Sequence, residues 1–335
     1  MDTRSVSGRT IISAMDLERM LDKCRKFQWR VDDLDWTVTP RALSREDEIA
    51  ICQYFTDMAG IERLAKALFD EQRKRTENPV LKKIFSTFVV DEERHAVAAE
   101  RLAAHYNVNR YREYEQNPAL QRFVPHFVRA IRYVPAEVAN IYITAGELLL
   151  DVALLRSIDD YVDDEMSRQV MHLINRDESR HIAVDYHMVE YYASDEYVKY
   201  LRKQGLPPPH IAARASWALI NVLYRARPFV RSVFFAPMAV VDPDGVRMKE
   251  AFKRIQLLGK KPDVAKRPFA KFIAGVQYAY NTRPGKLLFG NVLSRIAGIP
   301  EEVLVDLHTE EEARRYAAMS YDELAEDALA AKHLH

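Results

Sequence analysis

The sequence predicts an all-α protein: a four-helix bundle with additional helices at its N- and C-terminal ends. Three observations carry this. Only ten of the 335 residues are glycine, while Ala, Leu, Glu and Arg, all strong helix formers, are abundant. Apolar residues recur three, four and seven positions apart through four long stretches, the spacing of one helix face. A pentapeptide of the form D-E-x-R-H occurs twice, as Asp91-Glu92-Glu93-Arg94-His95 and, 86 residues later, as Asp177-Glu178-Ser179-Arg180-His181.

Taken in order, residues 1–45 form an arm, with a helical piece over 15–27 and an extended stretch over 30–40. Ser44, followed three residues later by Asp47, caps the first long helix, which runs to about Arg75. Asn78-Pro79 marks the turn into the second, over about 80–106. Asn107, Asn109, Pro118 and Pro125 break the next connection, which is helical in part of 121–133. Pro135 opens the third long helix, over about 136–160, and the fourth covers about 163–194. Helices of ~25 residues span roughly 37 Å at 1.5 Å per residue, enough for a bundle with a buried central site. The bundle is assigned to 46–195. After Gly205-Leu206-Pro207-Pro208-Pro209, residues 206–335 supply helices that pack on it. These are expected over 210–225, 246–258, 265–280, 286–297 and from about Thr309, with a strongly hydrophobic stretch at 228–241 and a turn at Asp242-Pro243-Asp244-Gly245.

Basic and acidic residues balance at 49 each, so neither nucleic acid nor a membrane is an expected partner. Two cysteines, Cys24 and Cys52, are too few for a disulfide framework or a thiolate metal site and fit a reducing, cytoplasmic setting. Residues 1–15 lack an apolar run of signal-peptide length. The longest uninterrupted apolar run, 233–241, contains Pro237 and is far short of a membrane span.

On a helix, residues three apart share a face. Glu92 with His95, and Glu178 with His181, can each offer a carboxylate oxygen and an imidazole nitrogen to one metal ion. A dinuclear site in a helical bundle takes a Glu from each of two helices and a Glu-x-x-His from each of the other two. The lone glutamates are present: Glu62 with 28 residues before Asp91, and Glu147 with 29 before Asp177. Each lies on an apolar stripe, Glu62 among Phe55, Met58, Ala65 and Phe69, and Glu147 among Asn140, Ile143, Leu150 and Leu154. The stripes around the two motifs hold Phe85, Phe88, Ala96 and Ala99, and Met171, Ile174 and Val184. A carboxylate in such a stripe is costly unless it is paired or bound to a cation. Four carboxylates and two imidazoles suit iron or manganese, and the missing thiolates argue against structural zinc. Without metal the four carboxylates would repel one another and several would take up protons. Asp91 and Asp177 are each expected to orient a ligand histidine, that of the opposite motif. Arg94 and Arg180 either pair with these aspartates across the helix interface or lie on the surface. The other histidines read as structural or exposed.

The doubled pattern, E-x28-D-E-x-R-H and E-x29-D-E-x-R-H, resembles the signature of ferritin-like di-iron oxygenases, and within them is most similar to the p-aminobenzoate N-oxygenase family. The resemblance covers about residues 30–195 and includes an acidic-Trp segment, Asp33-Leu34-Asp35-Trp36. It implies a ferritin-like bundle in which Glu62, Glu92, His95, Glu147, Glu178 and His181 hold two iron ions, manganese being the alternative. It implies O2 as co-substrate, an external electron donor (a reductase or ferredoxin), a homodimer, and oxidation of a small organic substrate, in that family an aryl amine. That family adds a third histidine one turn before the second motif's glutamate, where this chain has Ile174. That leaves a two-histidine sphere or a substitute such as Asp185.

Related classes bound the expectation. Acyl-carrier-protein desaturases share D-E-x-R-H. A ribonucleotide reductase small subunit would need a radical tyrosine near the site; the seventh residue after each lone Glu is Phe69 or Leu154, which leaves Tyr54, Tyr142 or Tyr161 to approach from elsewhere. Iron-storing ferritin chains are much shorter. A rubrerythrin-type centre would need four cysteines.

Overall fold

The computed structural model describes residues 15–205, 208–284 and 300–333, and among these it contains helices and no β-strand. Four long helical segments enclose its centre: α2 (Arg45–Arg75), α3 (Pro79–Tyr106), the continuous rod Ala136–Val162 and α7 (Glu165–Ala193). Before them stands α1 (Leu17–Lys26), and α4 (Pro118–Ile131) lies between α3 and the rod.

Three of the four long helices start at a local side-chain cap. The Asp47 amide donates to Ser44 Oγ at 3.1 Å, and Glu46, Asp47 and Glu48 complement the helix dipole. Asn78 Oδ1 accepts from Val80 and Leu81, with Pro79 in the first turn. Asp163 adopts φ 45°, ending one helix, and Asp164 then caps α7 through the Met166 amide. Gly60 marks a close approach of α4 to α2: a Cβ there would lie 2.6 Å from Leu120 Cδ2, so a larger residue would force the Leu120 and Gln116 side chains to shift.

The rod differs from a simple helix. It runs as α5 (Ala136–Glu147), a π-helical segment Leu148–Leu154, and α6 (Leu155–Val162). The wider turn begins directly after Glu147; π turns inside α-helices often mark functional positions. Among the described residues the rod is the one helix long and apolar enough to cross a bilayer, and 67% of its most apolar window is buried in the protein.

The stripes predicted from spacing are core. Phe55, Met58, Phe69, Phe85, Phe88, Ile143, Leu154, Met171, Ile174 and Val184 are all buried. Corrections concern the edges. Residues 30–40, expected extended, contain a 3-10 turn at Val31–Asp33. Trp36 Nε1 donates to the Val31 carbonyl there, and Arg101 stacks on its ring. The helix expected over 210–225 is longer, running as α9 (Pro209–Phe229), a π segment Val230–Phe235 and α10 (Ala236–Val241), so the hydrophobic stretch at 228–241 is helical too. Between α7 and α9 lies a further helix, α8 (Asp195–Gln204). Then come α11 (Val246–Leu258) and α12 (Pro268–Asn281). The segment expected over 286–297 lies outside the described residues. The charged tail is three short helices, α13 (Glu301–Leu304), α14 (Glu310–Ala318) and α15 (Tyr321–Ala330), the last two opened by capping boxes.

These later helices pack on the earlier ones: α9 on α4, α11 on the Leu148–Leu154 segment, and α15 on α7. One polar contact fixes the end of this layer. Lys332, in the turn after α15, pairs with Asp151, which is fully buried in the π segment, and donates to the Asn175 carbonyl and Ser179 Oγ at 3.3 Å each.

Removing one partner of a buried ion pair leaves an uncompensated charge. Lys332→Met should therefore lower the free energy of unfolding at neutral pH by about 3–5 kcal/mol. Lys332→Met combined with Asp151→Leu should recover most of the loss. Urea denaturation midpoints at unchanged m-value read both; a single variant as stable as wild type would refute the pairing.

Candidate metal centre

Glu62 projects from α2, Glu92 and His95 from α3, Glu147 from the last turn of α5, and Glu178 and His181 from α7. All six side chains are buried and meet between the four segments. They form two overlapping sets. Glu62, Glu92, His95 and Glu178 bring one ligand atom each within 4.8 Å of one another, and so do Glu92, Glu147, Glu178 and His181. Glu92 and Glu178 belong to both sets. Two neighbouring positions result, each with one unshared glutamate, one histidine and two shared glutamates.

The histidines present Nδ1 to this centre. His95 Nδ1 lies 2.9 Å from Glu178 Oε1 and 3.8 Å from Glu62 Oε2. His181 Nδ1 lies 2.9 Å from Glu178 Oε2 and 3.1 Å from Glu92 Oε1. Their Nε2 atoms face outward toward the aspartate of the opposite motif, at 3.2 Å from Asp177 Oδ2 for His95 and 3.6 Å from Asp91 Oδ2 for His181. The first is a hydrogen bond that fixes the ring; the second is too long for one.

Arg94 and Arg180 are held in the same layer. Arg94 Nη1 is 2.8 Å from Asp91 and 3.4 Å from Asp177, and Arg180 Nη2 is 2.7 Å from Asp177 and 3.5 Å from Asp91. Two aspartates and two arginines thus form a crossed set behind the histidines, with the half-buried Arg176 also 3.7 Å from Asp177. The arm closes it: Trp29 Nε1 donates to Asp177 Oδ2 at 2.7 Å, Gln28 Nε2 donates to Asp91 Oδ1 at 3.0 Å, and Arg94 donates to Gln28 Oε1. Phe69 and Phe88 pack against the His181 ring, with centroids 5.1 and 4.1 Å away.

Burial and mutual repulsion dominate the electrostatics. Burial, then Glu178, Glu62 and Glu147, push the Glu92 carboxyl well above its ordinary range. Burial and Glu178 do the same to Glu147. Burial opposes charge on Glu178, but the two histidines outweigh it and hold this carboxyl well below its ordinary range. Burial likewise opposes charge on the histidines. His95 is nonetheless raised well above its ordinary value by Asp177, Glu178 and Glu62, and His181 is raised to about 9 by Glu178 and Asp91. Asp177 is lowered to about 2 against its burial, chiefly by His95.

A cation answers what the protein leaves open here. Glu62 Oε1 and both Glu92 oxygens are buried without a hydrogen-bond partner among the described residues. Carboxylates converging with neutral imidazole nitrogens, and no sulfur, are a donor set for first-row divalent ions. The residues present therefore fit a pair of such ions. Ile174, fully buried, occupies the turn before Glu178 and offers no donor.

Several contributors escaped the sequence reading. Asp151 follows Glu147 by four residues in an otherwise apolar run, a spacing that could have singled it out. Gln28, Trp29 and Lys332 carry no periodic signal, because their roles come from chain segments remote in sequence. Comparison with known protein families and with curated proteins finds no match.

The shifts fix the behaviour of the metal-free protein. His181 titrates near 9 folded and near 6.5 unfolded. Its protonation therefore contributes stability that is full below about pH 6.5 and lost as pH rises toward 9. The raised Glu92 and Glu147 act in the same direction. Thermal unfolding of chelator-treated protein should thus show Tm falling between pH 6.5 and 9, and His181→Ala should flatten the slope. A Tm rising over that range would contradict these shifts.

Proposed function

We propose that this protein is a ferritin-like, O2-activating di-iron oxidoreductase acting on a small organic substrate. Monooxygenation is the reaction type, and N-oxygenation of an aryl amine the specific reaction proposed. The observation that carries the reading is the sharing of Glu92 and Glu178 between two overlapping, fully buried ligand sets. A storage or structural carboxylate cluster has no need of a histidine in each half with its outer nitrogen turned to an aspartate.

Glu62 and His95 would hold one iron, Glu147 and His181 the other, with Glu92 and Glu178 bridging. Bound there in its reduced form, the pair would supply electrons to O2 and direct one oxygen atom to the substrate. The chain's own residues prepare that chemistry. Asp177 keeps the His95 proton on Nε2, leaving Nδ1 unprotonated as a donor atom. Arg94 and Arg180 pair with Asp91 and Asp177, so these two aspartates add no uncompensated negative charge to the centre. Phe69 and Phe88 exclude water beside His181, which protects a strong oxidant from side reactions. Cys24 and Cys52 are both buried and lie on different helices. Electrons for turnover therefore come from an external donor in this proposal.

Protein expressed with iron should contain two iron ions per chain and, once reduced, consume O2 faster in the presence of an aryl amine. Because Glu92 is shared, Glu92→Ala should lose both ions, whereas Glu62→Ala should retain about one. Metal analysis with oxygen-electrode traces decides it. Zinc as the only bound metal, or equal losses in the two variants, would contradict the proposal.

A further inference from the structure

Charge is balanced over the whole chain but not over its surface. Helix α4 and the continuous run from α9 to α10 carry six arginines and no Asp or Glu. The two pack together, with the Phe229 ring stacked on Phe123 at 4.3 Å between centroids. On its inner face α9 buries Ala218 and Val222 in the core. On its outer face Trp217, Ile220, Leu223 and Tyr224 are 68, 57, 57 and 79% exposed. Their spacing of three and four residues sets them side by side, and exposure this high makes them a ridge rather than the wall of a groove. Arg214 precedes the ridge by one turn, and Arg227 and Arg231 follow it, all three exposed. Arg225 beside it donates to Asn221 Oδ1 at 2.9 Å and stacks on the Tyr224 ring, neither of which is an anion.

Large apolar side chains gathered on one exposed face mark an interaction surface. Its occupant must accept a convex apolar ridge and supply negative charge. A second copy of this chain meets the second condition poorly, because about a two-fold axis the patch faces itself and sets arginine against arginine. A lipid surface meets both. The boundary between headgroups and acyl chains takes Trp, Tyr, Leu and Ile without a preformed pocket. Anionic headgroups attract the arginines, whose long apolar stems let the guanidinium reach them. We propose that the outer face of α9 docks on an anionic lipid bilayer, with Trp217, Ile220, Leu223 and Tyr224 inserted and Arg214, Arg227 and Arg231 among the headgroups. The helix lies on the membrane and does not cross it, since its inner face stays on α4. The expectation of no membrane partner rests on 49 basic and 49 acidic residues over the whole chain, a balance blind to how they are distributed. This inference is independent of the di-metal reading.

The test is co-sedimentation of the full-length protein with vesicles of phosphatidylcholine, alone or with about 30% phosphatidylserine. Wild type should bind the anionic vesicles about tenfold or more tightly than the neutral ones. Binding should weaken as salt rises from about 0.1 to about 1 M, because screening shortens from about 10 to about 3 Å. Ile220→Ser with Leu223→Ser should weaken binding to anionic vesicles by about tenfold. Arg227→Gln with Arg231→Gln should reduce the preference for anionic over neutral vesicles by about tenfold. Arg19→Gln with Lys23→Gln, which removes two exposed cations of α1, should leave both affinities unchanged. All these side chains are exposed, and the melting temperature of each variant checks its fold. No binding to anionic vesicles, equal binding to both kinds, or an α1 variant that loses as much as the α9 variants would overturn the proposal. So would sedimentation showing a wild-type dimer that Ile220→Ser with Leu223→Ser converts to monomer, since a second copy would then cover the ridge. None of these outcomes bears on metal content, so the di-metal reading stands or falls separately.

Discussion

Four glutamates turned into one dry interior repel each other, and that repulsion is the constraint on which the rest of the structure depends. Each is buried on a helix face whose neighbours are mostly apolar, Phe55, Phe69, Phe85, Phe88, Ile143 and Ile174 among them. Two unit charges 4 Å apart still interact by about 4 kcal/mol at an effective dielectric constant of 20. The protein answers part of this through histidines that face the carboxylates, and the Glu92 and Glu147 carboxyls are pushed well above their ordinary range by burial and by their neighbours. The remainder is a set of buried Glu and His donors that could hold a cation. Behind the histidines, Asp91 and Asp177 are paired with Arg94 and Arg180, and Asp177 also with Arg176, so these two aspartates do not share the repulsion of the centre.

The doubled motif gives the centre an approximate two-fold character, and the departures from it are informative. Each half supplies the same ligands and sends an aspartate to the other half's histidine. The arm breaks the equivalence, since Trp29 binds Asp177 while Gln28 binds Asp91. A π segment follows Glu147, whereas α2 continues as regular helix past Glu62. Only the second half carries buried aspartates four residues after its ligands, Asp151 after Glu147 and Asp185 after His181. A scaffold can keep a symmetric ligand set while what lies one turn beyond differs.

What could be read from the chain follows from which interactions are local. Ser44, Asn78 and the left-handed Asp163 end or start helices through contacts within a few residues, so the long elements were legible. Glu62 and Glu147 were legible because a repeat of 86 residues imposes a search for both. The π segment was not, since nothing in Leu148–Leu154 separates a 3.6-residue period from a wider one. Lys332 was not, because it meets Asp151 from the far end of the chain and a lone lysine in a polar tail resembles any surface lysine. Trp29 fell in the irregular arm, between its helical piece and its extended stretch, and only the packing of that arm against α3 and α7 reveals its bond to Asp177.

The central claim is that Glu92 and Glu178 are shared by two ions. X-ray absorption at the iron edge of the metal-loaded protein tests it most directly. The account predicts oxygen and nitrogen neighbours, no sulfur, and a second metal about 3.5–4 Å away, the separation usual in two-metal sites. An isolated iron with no metal neighbour, or one bound by sulfur, would contradict it.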